Sequence, residues 1–286
     1  MALQWLKSIF NTSAPASNSQ VSSDPAWAAC PICKKPSDAK AVGNVPWTHQ
    51  GPFHTAEFSL KHCLVCDVVY LDPMPTVQDL TTLYQGTAQF EGEHYEGDER
   101  VRLVLEYLTT CLIQRKLLPK SGEKMLEVGA GLSWMARACK SLDASIVTVA
   151  QDVTLEASDR CRWVDQYIVG AIEDLPDLGL FSLISLTHVI EHLTDPAAML
   201  MLLSTKLAPG GKIFITAPYR PAGWKTSSGI QAWLDYSYLH VPAHTAYLSE
   251  AFFTKKAGLL GLALVSFDAS HENGQAFEAI LERVAV

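Results

Sequence analysis

The sequence is poor in long apolar runs and in basic charge, and each shortage excludes a class of protein. No apolar run approaches the roughly 18 residues that a membrane helix needs; GLLGLALVSF is among the longest. Basic residues number 22 against 30 acidic ones, and the net charge of −8 argues against nucleic-acid or acidic-membrane partners. The first residues, MALQWLKSIF, lack the apolar stretch and cleavage site of a signal peptide. We therefore expect a cytoplasmic protein.

Cysteine occurs seven times, an odd number that does not fit a disulfide framework. Four of the seven form two C-x-x-C pairs, CPIC and CLVC, with 29 residues between the pairs. Each pair can wrap two thiolates around one ion, and two pairs complete a tetrahedral zinc site without an open position. The sequence predicts a structural zinc, with an iron–sulfur cluster as the minor alternative. The ligands are Cys30, Cys33, Cys63 and Cys66. Three cysteines are expected to be ordinary thiols: Cys111, Cys139 and Cys161.

Composition divides the chain into three parts. Residues 1–26 include a Ser-, Asn- and Pro-rich stretch that is typical of a flexible leader. Residues 27–88 hold the cysteine pairs among short strands and end with a helix over 76–86, capped by Thr76. Residues 89–286 form the main domain, which opens with a long helix over 98–118.

Beyond residue 120, apolar strands alternate with helices. Strands are expected at KMLEV, SIVTVA, QYIVG, LFSLISL and KIFITAP. Helices are expected from about Leu132, near 153–160, at TDPAAML, which LAPGG closes, and at SEAFFTKKAGLL. This alternation predicts an α/β fold, a parallel sheet with helices on both faces. The last two strands, LALVSFDA and AFEAILERVAV, are joined only by SHENGQ and should pair antiparallel.

The segment EVGAGLS follows the first of these strands and opens a helix, the setting in which a Gly-rich loop binds a ligand. Gly129, Ala130 and Gly131 permit a tight turn and close approach of the backbone to that ligand. Ser133 stands where a third glycine is expected, which breaks the dinucleotide pattern. Glu127 suits a cationic ligand, such as the amino group of S-adenosylmethionine, better than a pyrophosphate. Taken alone, the motif is as often a simple turn.

Polar residues also follow the next two strands. Gln151 and Asp152 lie about 20 residues past the glycines, where a ribose-binding acid is expected. Either Asp152 takes that role, or Gln151 bonds the hydroxyls as a neutral partner. Glu173 and Asp174 follow the third strand, where an acid can contact an adenine amino group; a solvated loop start is the alternative.

Together these segments resemble class I S-adenosylmethionine-dependent methyltransferases. LEVGAG is similar to the first motif of that family, HVIEHLTDP to the motif after the fourth strand, and LAPGGKIFIT to the fifth-strand motif. The resemblance covers residues 122–286. It implies a Rossmann-like seven-stranded sheet, mostly parallel with the last strand antiparallel, and S-adenosylmethionine as cofactor, with His188 beside it. The usual third glycine of the family aligns with Ser133, and its ribose-binding acid aligns with Gln151.

The N-terminal part carries a second resemblance. The cysteine pairs and YLDPMPTVQDLTTLYQG are similar to the zinc ribbon that precedes the catalytic domain in some bacterial sugar and natural-product methyltransferases. That arrangement implies that the ribbon and the following helices cover the acceptor side of the cofactor. Tyr84, Phe90 and Tyr95 are then candidate lid residues, with simple packing as the alternative.

Histidines supply the candidates for catalysis. Methyl transfer to a hydroxyl or an acidic carbon needs a general base, and histidine is the usual choice near neutral pH. His188 and His192 follow the fourth strand, and His240 and His244 lie in YLHVPAHTAYLS. We assign catalytic roles to His192, His244 and His188, with a structural role as the alternative for each. Glu191 is expected to brace the loop as much as to catalyse.

Residues 219–248 form an insertion after the fifth strand with two tryptophans and four tyrosines. With Arg220 and Lys225, these aromatic residues indicate a lid or wall for a small aromatic or anionic acceptor. A hydrophobic plug or a homodimer contact is a nearly equal alternative.

The predicted activity is methyl transfer from S-adenosylmethionine to oxygen, carbon or nitrogen of a small molecule, in biosynthetic or secondary metabolism. Three alternatives stay open. The ribbon could be an adaptor for an RNA or protein substrate, which the acidic charge disfavours for nucleic acid. A methyltransferase-like scaffold could bind cofactor without turnover, as Ser133 and Gln151 allow. An NAD-dependent oxidoreductase is the most distant, because the glycine pattern is broken.

Overall fold

The structure, a computed structural model, describes residues 29–35, 39–47, 57–76, 79–80, 83, 98–154 and 158–284. The leader over 1–26 and the lid candidates Tyr84, Phe90 and Tyr95 lie outside these residues. Of the helix predicted over 76–86, residues 76, 79, 80 and 83 are described; 79, 80 and 83 are helical, and the hydroxyl of the predicted cap Thr76 accepts a hydrogen bond from the Asp79 N–H at 3.1 Å. The domain boundary at 88/89 also falls outside the described residues and stays a prediction.

Eleven strands run through the described residues. They are β1 (Ala39–Val45), β2 (Phe58–Cys63), β3 (Val68–Asp72), β4 (Lys124–Val128), β5 (Val147–Asp152), β6 (Gln166–Val169), β7 (Phe181–Thr187), β8 (Leu207–Pro218), β9 (Ala246–Tyr247), β10 (Leu262–Asp268) and β11 (Ala276–Arg283). Seven of them form the main sheet, in the order β10-β11-β8-β7-β4-β5-β6. Strands β4 to β8 pair in parallel, and β11 runs antiparallel to both neighbours. This sheet confirms the predicted fold class.

Six α-helices lie within the described residues. They are α1 (Asp98–Gln114), α2 (Trp134–Leu142), α3 (Pro196–Lys206), α4 (Gln231–Leu234), α5 (Glu250–Leu259) and α6 (His271–Gly274). Side chains alternate between the two faces of a strand, so each face of the main sheet presents its own apolar layer. Leu112, Met135 and Phe214 pack together on the face covered by α1 and α2. Leu200 and Phe253 pack on the opposite face. Each such buried side chain contributes about 1.5–3 kcal/mol, which makes the sheet a rigid frame for the loops at its edge.

Three details differ from the sequence-based expectation. Helix α2 begins at Trp134, not near Leu132, because Ser133 has φ 53° and occupies the left-handed region, which an α-helix does not include. Near 153–160 the described residues hold only a 3-10 turn at Ser158–Arg160, and 155–157 are not described. The segment LAPGG is already part of β8, while the polar turn SHENGQ contains α6.

A second, four-stranded sheet joins the N-terminal region to the insertion after β8. Its order is β1-β2-β3-β9, with all neighbours antiparallel. The two-residue strand β9 pairs with Val69 and Tyr70 of β3. Leu60 and Leu71 of the ribbon share a hydrophobic core with Trp224 and Trp233 of the insertion. The ribbon and the insertion therefore fold together, which the sequence did not predict.

Polar contacts also hold the ribbon against the insertion. Arg220 of the insertion donates two hydrogen bonds to the Asp67 carboxylate, at 2.8 and 3.0 Å, and His62 lies 2.7 Å from the same carboxylate. Burial raises the pKa of Asp67, but the bonds from His62 and Arg220 outweigh it and hold the pKa at about 2. Ser249, which caps α5, donates its hydroxyl to the Cys66 carbonyl at 2.8 Å. The second cysteine turn thus rests on the start of α5.

Candidate active site and metal centre

The glycine loop leaves the carboxyl end of β4 in a tight left-handed path. Gly129 and Gly131 have φ of 59° and 47°, values that glycine adopts at little cost. A Cβ added to Gly129 would lie 2.5 Å from Cγ2 of Val189, so the loop backbone presses directly on the segment that follows β7. This contact with Val189, which no local sequence pattern predicts, brings the loop to the turn that carries the histidines.

Glu127 is buried at the end of β4, and its carboxylate faces helix α2. Its two oxygens accept hydrogen bonds from the backbone N–H groups of Met135 and Ala136, at 3.2 and 2.9 Å. Burial raises the pKa of Glu127 to about 7, against the lowering effect of these two bonds. The described contacts of Glu127 are therefore with the start of α2, where a carboxylate is favoured by the helix dipole. Its predicted contact with a ligand amino group stays a prediction.

Gln151 and Asp152 end β5 beside the loop, and both hold its backbone. Asp152 accepts a hydrogen bond from Gly131 N–H at 2.8 Å. The Gln151 carbonyl accepts one from Ala130 N–H at 2.9 Å, and its side-chain NH2 donates to the Gly170 carbonyl at 2.6 Å. The structure thus brings both candidates for the ribose position to the loop. The shape of the loop depends on them directly.

Tyr167 of β6 is a further loop contact that the sequence analysis missed. Its hydroxyl donates to the Gly131 carbonyl at 2.9 Å. Burial raises the pKa of Tyr167 above its ordinary value, so the phenol keeps the proton that this bond requires. An aromatic residue inside a strand carries no sequence signal for such a role.

The two acids after β6 are exposed. Glu173 and Asp174 lie on the 3-10 turn Ile172–Asp174, while Ile172 beside them is fully buried. The turn is anchored by the apolar residue, and both acidic residues lie at the surface. Contact with an adenine amino group stays a prediction for these two residues.

The predicted histidines come together around Glu191. His188 follows β7 with φ 53°, and Glu191 and His192 lie on the 3-10 turn Ile190–His192. Nδ1 of His188 and Nε2 of His192 lie 3.4 and 3.7 Å from one carboxylate oxygen of Glu191. The rings of His192 and His244 meet edge to face, with centroids 4.8 Å apart. His240, in turn, stacks on His244 at 4.7 Å.

Burial and the neighbouring histidines together set the pKa values of Glu191 and His244. Burial would raise the pKa of Glu191, but the surrounding imidazoles of His192, His188 and His244 hold it at about 2, so the carboxylate is charged. Burial lowers the pKa of His244 to about 3, with a further lowering from His192. His244 is therefore neutral at physiological pH. Glu191, which was expected to brace the loop, lies at the centre of the cluster.

The four predicted zinc ligands form a compact cluster. Sγ of Cys30 lies 3.9 Å from Sγ of Cys66, and Sγ of Cys33 lies 3.9 Å from Sγ of Cys63. A tetrahedron with zinc–sulfur bonds of about 2.3 Å has edges of about 3.8 Å, so the four thiols fit one zinc ion. Lys34 and Asp67, which follow the two C-x-x-C pairs, both adopt positive φ. The other three cysteines are buried core residues: Cys111, Cys139 and Cys161.

The aromatic residues of the insertion serve mostly as core. Trp224, Trp233 and Tyr236 are buried under the ribbon sheet. Tyr238 is half-buried and stacks on His188, with ring centroids 5.9 Å apart. Arg220 is committed to Asp67, so the residue expected to meet an anionic acceptor has a structural partner instead. Of the alternatives for the insertion, internal packing describes most of these side chains.

Among the described residues, no helix combines the length and the apolar character needed to cross a membrane.

Comparison with known proteins places the chain in a family. The family described as "Methyltransferase domain" matches residues 99–266. "Ubiquinone biosynthesis O-methyltransferase" of Xanthomonas euvesicatoria pv. vesicatoria (strain 85-10) is 27% identical over 119 residues, 39% of this chain and 47% of that protein. The mitochondrial protein of that name from Schizosaccharomyces pombe (strain 972 / ATCC 24843) is 25% identical over 120 residues, 39% of this chain and 43% of that protein. This chain thus spans less than half the length of these relatives.

Solved structures show the same fold. Magnesium protoporphyrin IX methyltransferase (ChlM) from Synechocystis PCC 6803 superposes with a TM-score of 0.52 at 13% identity, over 70% of this chain and 96% of that one. The plantazolicin methyltransferase BpumL gives a TM-score of 0.51 at 13% identity, over 69% of this chain and 90% of that one. The family match covers more than half of the chain, and the sheet has the order and the reversed strand that the family motifs imply. The protein belongs to the methyltransferase-domain family.

Proposed function

We propose that this methyltransferase acts on a small-molecule acceptor and methylates an oxygen atom. One observation carries the proposal: the glycine loop and the histidine-bearing turn are in direct contact, through Gly129 and Val189. The cofactor side and the acceptor side therefore share one edge of the sheet. The two relatives described above are O-methyltransferases, which supports oxygen over carbon or nitrogen.

The residues at this edge fit S-adenosylmethionine. Gly129 and Gly131 present no side chains to a ligand, and Asp152 has lone pairs beyond the bond that it accepts from the loop. We propose that Gln151 and Asp152 hold the loop and offer acceptors to the ribose hydroxyls, while Glu127 fixes the start of α2. The proposed cofactor-side residues are Glu127, Gly129, Ala130, Gly131, Gln151, Asp152, Glu173, Asp174 and His188.

S-adenosylmethionine, when bound, supplies a methyl group already activated on a sulfonium. The chain itself has to position the acceptor and remove its proton. His192, His244 and His188 are proposed to do this, since they converge at the edge of the sheet beside the loop. His244 is neutral at physiological pH, but its low pKa makes it a weak base, so its proposed role is to position the acceptor.

The acceptor is proposed to be small and aromatic or anionic, and the role to be biosynthetic. The half-buried ring of Tyr238, stacked on His188, gives the acceptor side an aromatic wall. The net charge of −8 favours a small molecule over nucleic acid. A cytoplasmic location and a homodimer contact through the insertion stay proposals.

We also propose that the cysteine cluster holds one structural zinc. Four thiolates leave no open position, so such an ion stabilises the ribbon and takes no part in the chemistry. Elemental analysis of the purified chain is expected to give one tightly held zinc per molecule. Iron with acid-labile sulfide in its place would support the alternative.

The experiment that tests the proposed function is calorimetric binding of S-adenosylhomocysteine, with NADH as control, to protein of known zinc content. We expect binding of S-adenosylhomocysteine at about micromolar concentration, and none of NADH. A screen of phenols and enolic acids with radiolabelled S-adenosylmethionine then looks for a methylated oxygen. A folded, zinc-loaded protein that binds NADH or neither ligand would overturn the proposal.

A further inference from the structure

Glu191, His192 and His244 form a second group of side chains with the composition of a metal site. Their possible ligand atoms all lie within 4.8 Å of one another. The cysteine cluster comes from other elements of the fold, so the two groups are separate.

The described neighbours of the Glu191 carboxylate are Nδ1 of His188 and Nε2 of His192, at 3.4 and 3.7 Å, which form ion pairs with it only when they are protonated. Glu191 is 1% exposed, and neither oxygen accepts a well-formed hydrogen bond from a described residue. A buried charge without hydrogen bonds costs several kcal/mol, and buried polar groups are otherwise almost always satisfied. A bound cation removes this cost.

Backbone carbonyls orient both histidines toward that carboxylate. Nδ1 of His192 donates to the Ala243 carbonyl at 3.0 Å, and Nδ1 of His244 donates to the Tyr238 carbonyl at 2.8 Å. A neutral imidazole that donates from Nδ1 carries its lone pair on Nε2. Outer contacts of this kind accompany nearly all metal-binding histidines, since they fix the tautomer and the ring orientation.

The two segments that carry these residues are also locked together. Thr245 donates its N–H and its hydroxyl to the Glu191 carbonyl, at 2.8 and 2.9 Å, and the hydroxyl also bonds the Leu193 carbonyl at 2.7 Å. The cluster is closed by the protein on the side of Glu191 and His244. It opens toward solvent at the side chains of His188 and His192, which are 34% and 25% exposed.

We propose that Glu191, His192 and His244 bind a divalent transition-metal ion, of the zinc or iron(II) class, with at least one coordination position open to an oxygen atom of the acceptor. Two imidazoles and one carboxylate are the ligand set of catalytic zinc sites and of iron(II) sites with open positions. Magnesium and calcium prefer oxygen ligands throughout, so they fit less well.

The inference deepens the proposed function and rests on it for its chemical role. An acceptor hydroxyl that binds the ion has a lowered pKa, because the ion stabilises the oxygen anion. The proton passes to water, the oxygen forms its bond to the methyl carbon, and the carbon–sulfur bond of the sulfonium breaks to leave a neutral thioether. In this account His192 and His244 are ligands in place of bases, and His188 stays beside the open position.

Cobalt(II) titration tests the proposal, because cobalt reports its ligands by visible absorption. The full chain, with zinc in the cysteine site, is treated with a mild chelator and then titrated with Co²⁺. We expect one further equivalent to bind, with ligand-field bands but without thiolate charge-transfer absorption. Glu191→Gln and His244→Ala should each weaken this binding by more than about 100-fold, the upper end of the loss for an outer-contact residue. His240→Ala, which removes a ring stacked on His244 outside the ligand set, should bind as the wild type does.

A second measurement needs no variant. Cu²⁺ bound to the wild-type protein should show electron paramagnetic resonance couplings to two imidazole nitrogens. Absence of a further equivalent, thiolate absorption, or equal binding by Glu191→Gln and His244→Ala would each overturn the inference. S-adenosylhomocysteine binding is measured on the same samples, so its retention without metal uptake refutes only the metal site. Loss of that binding in the wild type would count against the proposed function instead.

Discussion

The contact between the glycine loop and the turn after β7 predicts a specific response to Gly129→Ala. The added methyl group would lie 2.5 Å from Cγ2 of Val189, closer than real carbon atoms approach. The backbone at Gly129 also has φ 59°, which an alanine adopts only with strain. Both effects act on the segment that joins the cofactor loop to His188. The substitution is therefore expected to affect stability and cofactor binding together.

Three terms set the magnitude of this effect. The left-handed conformation costs an L-residue roughly 1–2 kcal/mol, and the lower entropy of the unfolded chain returns about 0.4–1 kcal/mol. Relieving the overlap with Val189 costs about 1–3 kcal/mol, as overpacking in cores does. Gly129→Ala should thus lower the free energy of unfolding by about 2–4 kcal/mol. Gly122→Ala is the matched control, since Gly122 has φ 78° but nothing within 4 Å of its added Cβ. We expect it to cost about 1 kcal/mol or less.

Urea unfolding and S-adenosylhomocysteine calorimetry on the two variants measure these effects. Gly129→Ala should weaken binding more than about tenfold, a loss of about 1.4 kcal/mol, and Gly122→Ala should leave it unchanged. Val189→Ala removes both γ carbons, so the double variant with Gly129→Ala should recover most of the overlap term in a double-mutant cycle. Equal losses of stability in the two glycine variants, or no recovery in the double variant, would refute the reasoning.

Three further predictions concern the ribbon and the loop. Removal of zinc from the cysteine site with a strong chelator should lower the melting temperature, because the ribbon shares a core with the insertion; unchanged melting of metal-free protein would contradict this. Asp67→Asn should destabilise the protein by about 1 kcal/mol, a value discounted because the side chain is 37% exposed. Since its folded pKa is depressed, Asp67 stabilises above pH about 4, and the difference from the variant in urea unfolding should vanish as pH falls toward 2. Tyr167→Phe should cost about 1 kcal/mol and weaken S-adenosylhomocysteine binding, whereas an unchanged affinity would show that the Gly131 bond does not shape the loop.

The order of elements in the main domain could be predicted from the sequence. Apolar runs with flanking turns are local features, and a parallel sheet with a reversed last strand follows from their alternation and from the short link before β11. The clustering of Cys30, Cys33, Cys63 and Cys66 was also predictable, because the C-x-x-C spacing itself encodes the knuckle geometry, whereas the bound zinc stays a prediction. The start of α2 was less so, since nothing local forces Ser133 into its left-handed conformation.

Only the tertiary structure decided which residues meet across long separations. Strand β9, which consists of two residues of the insertion, pairs with the ribbon sheet, and no local sequence pattern predicts this pairing. The sequence predicted that Arg220 could bind an anionic acceptor, but in the structure Arg220 forms an ion pair with Asp67. The sequence alone determined the layers of the fold, a sheet with helices on its faces, because hydrophobic periodicity is a local property of each strand and helix. Glu191 and His244 are more than fifty residues apart in the chain. They meet in one cluster only because the insertion packs against the edge of the sheet, which buries both side chains next to each other.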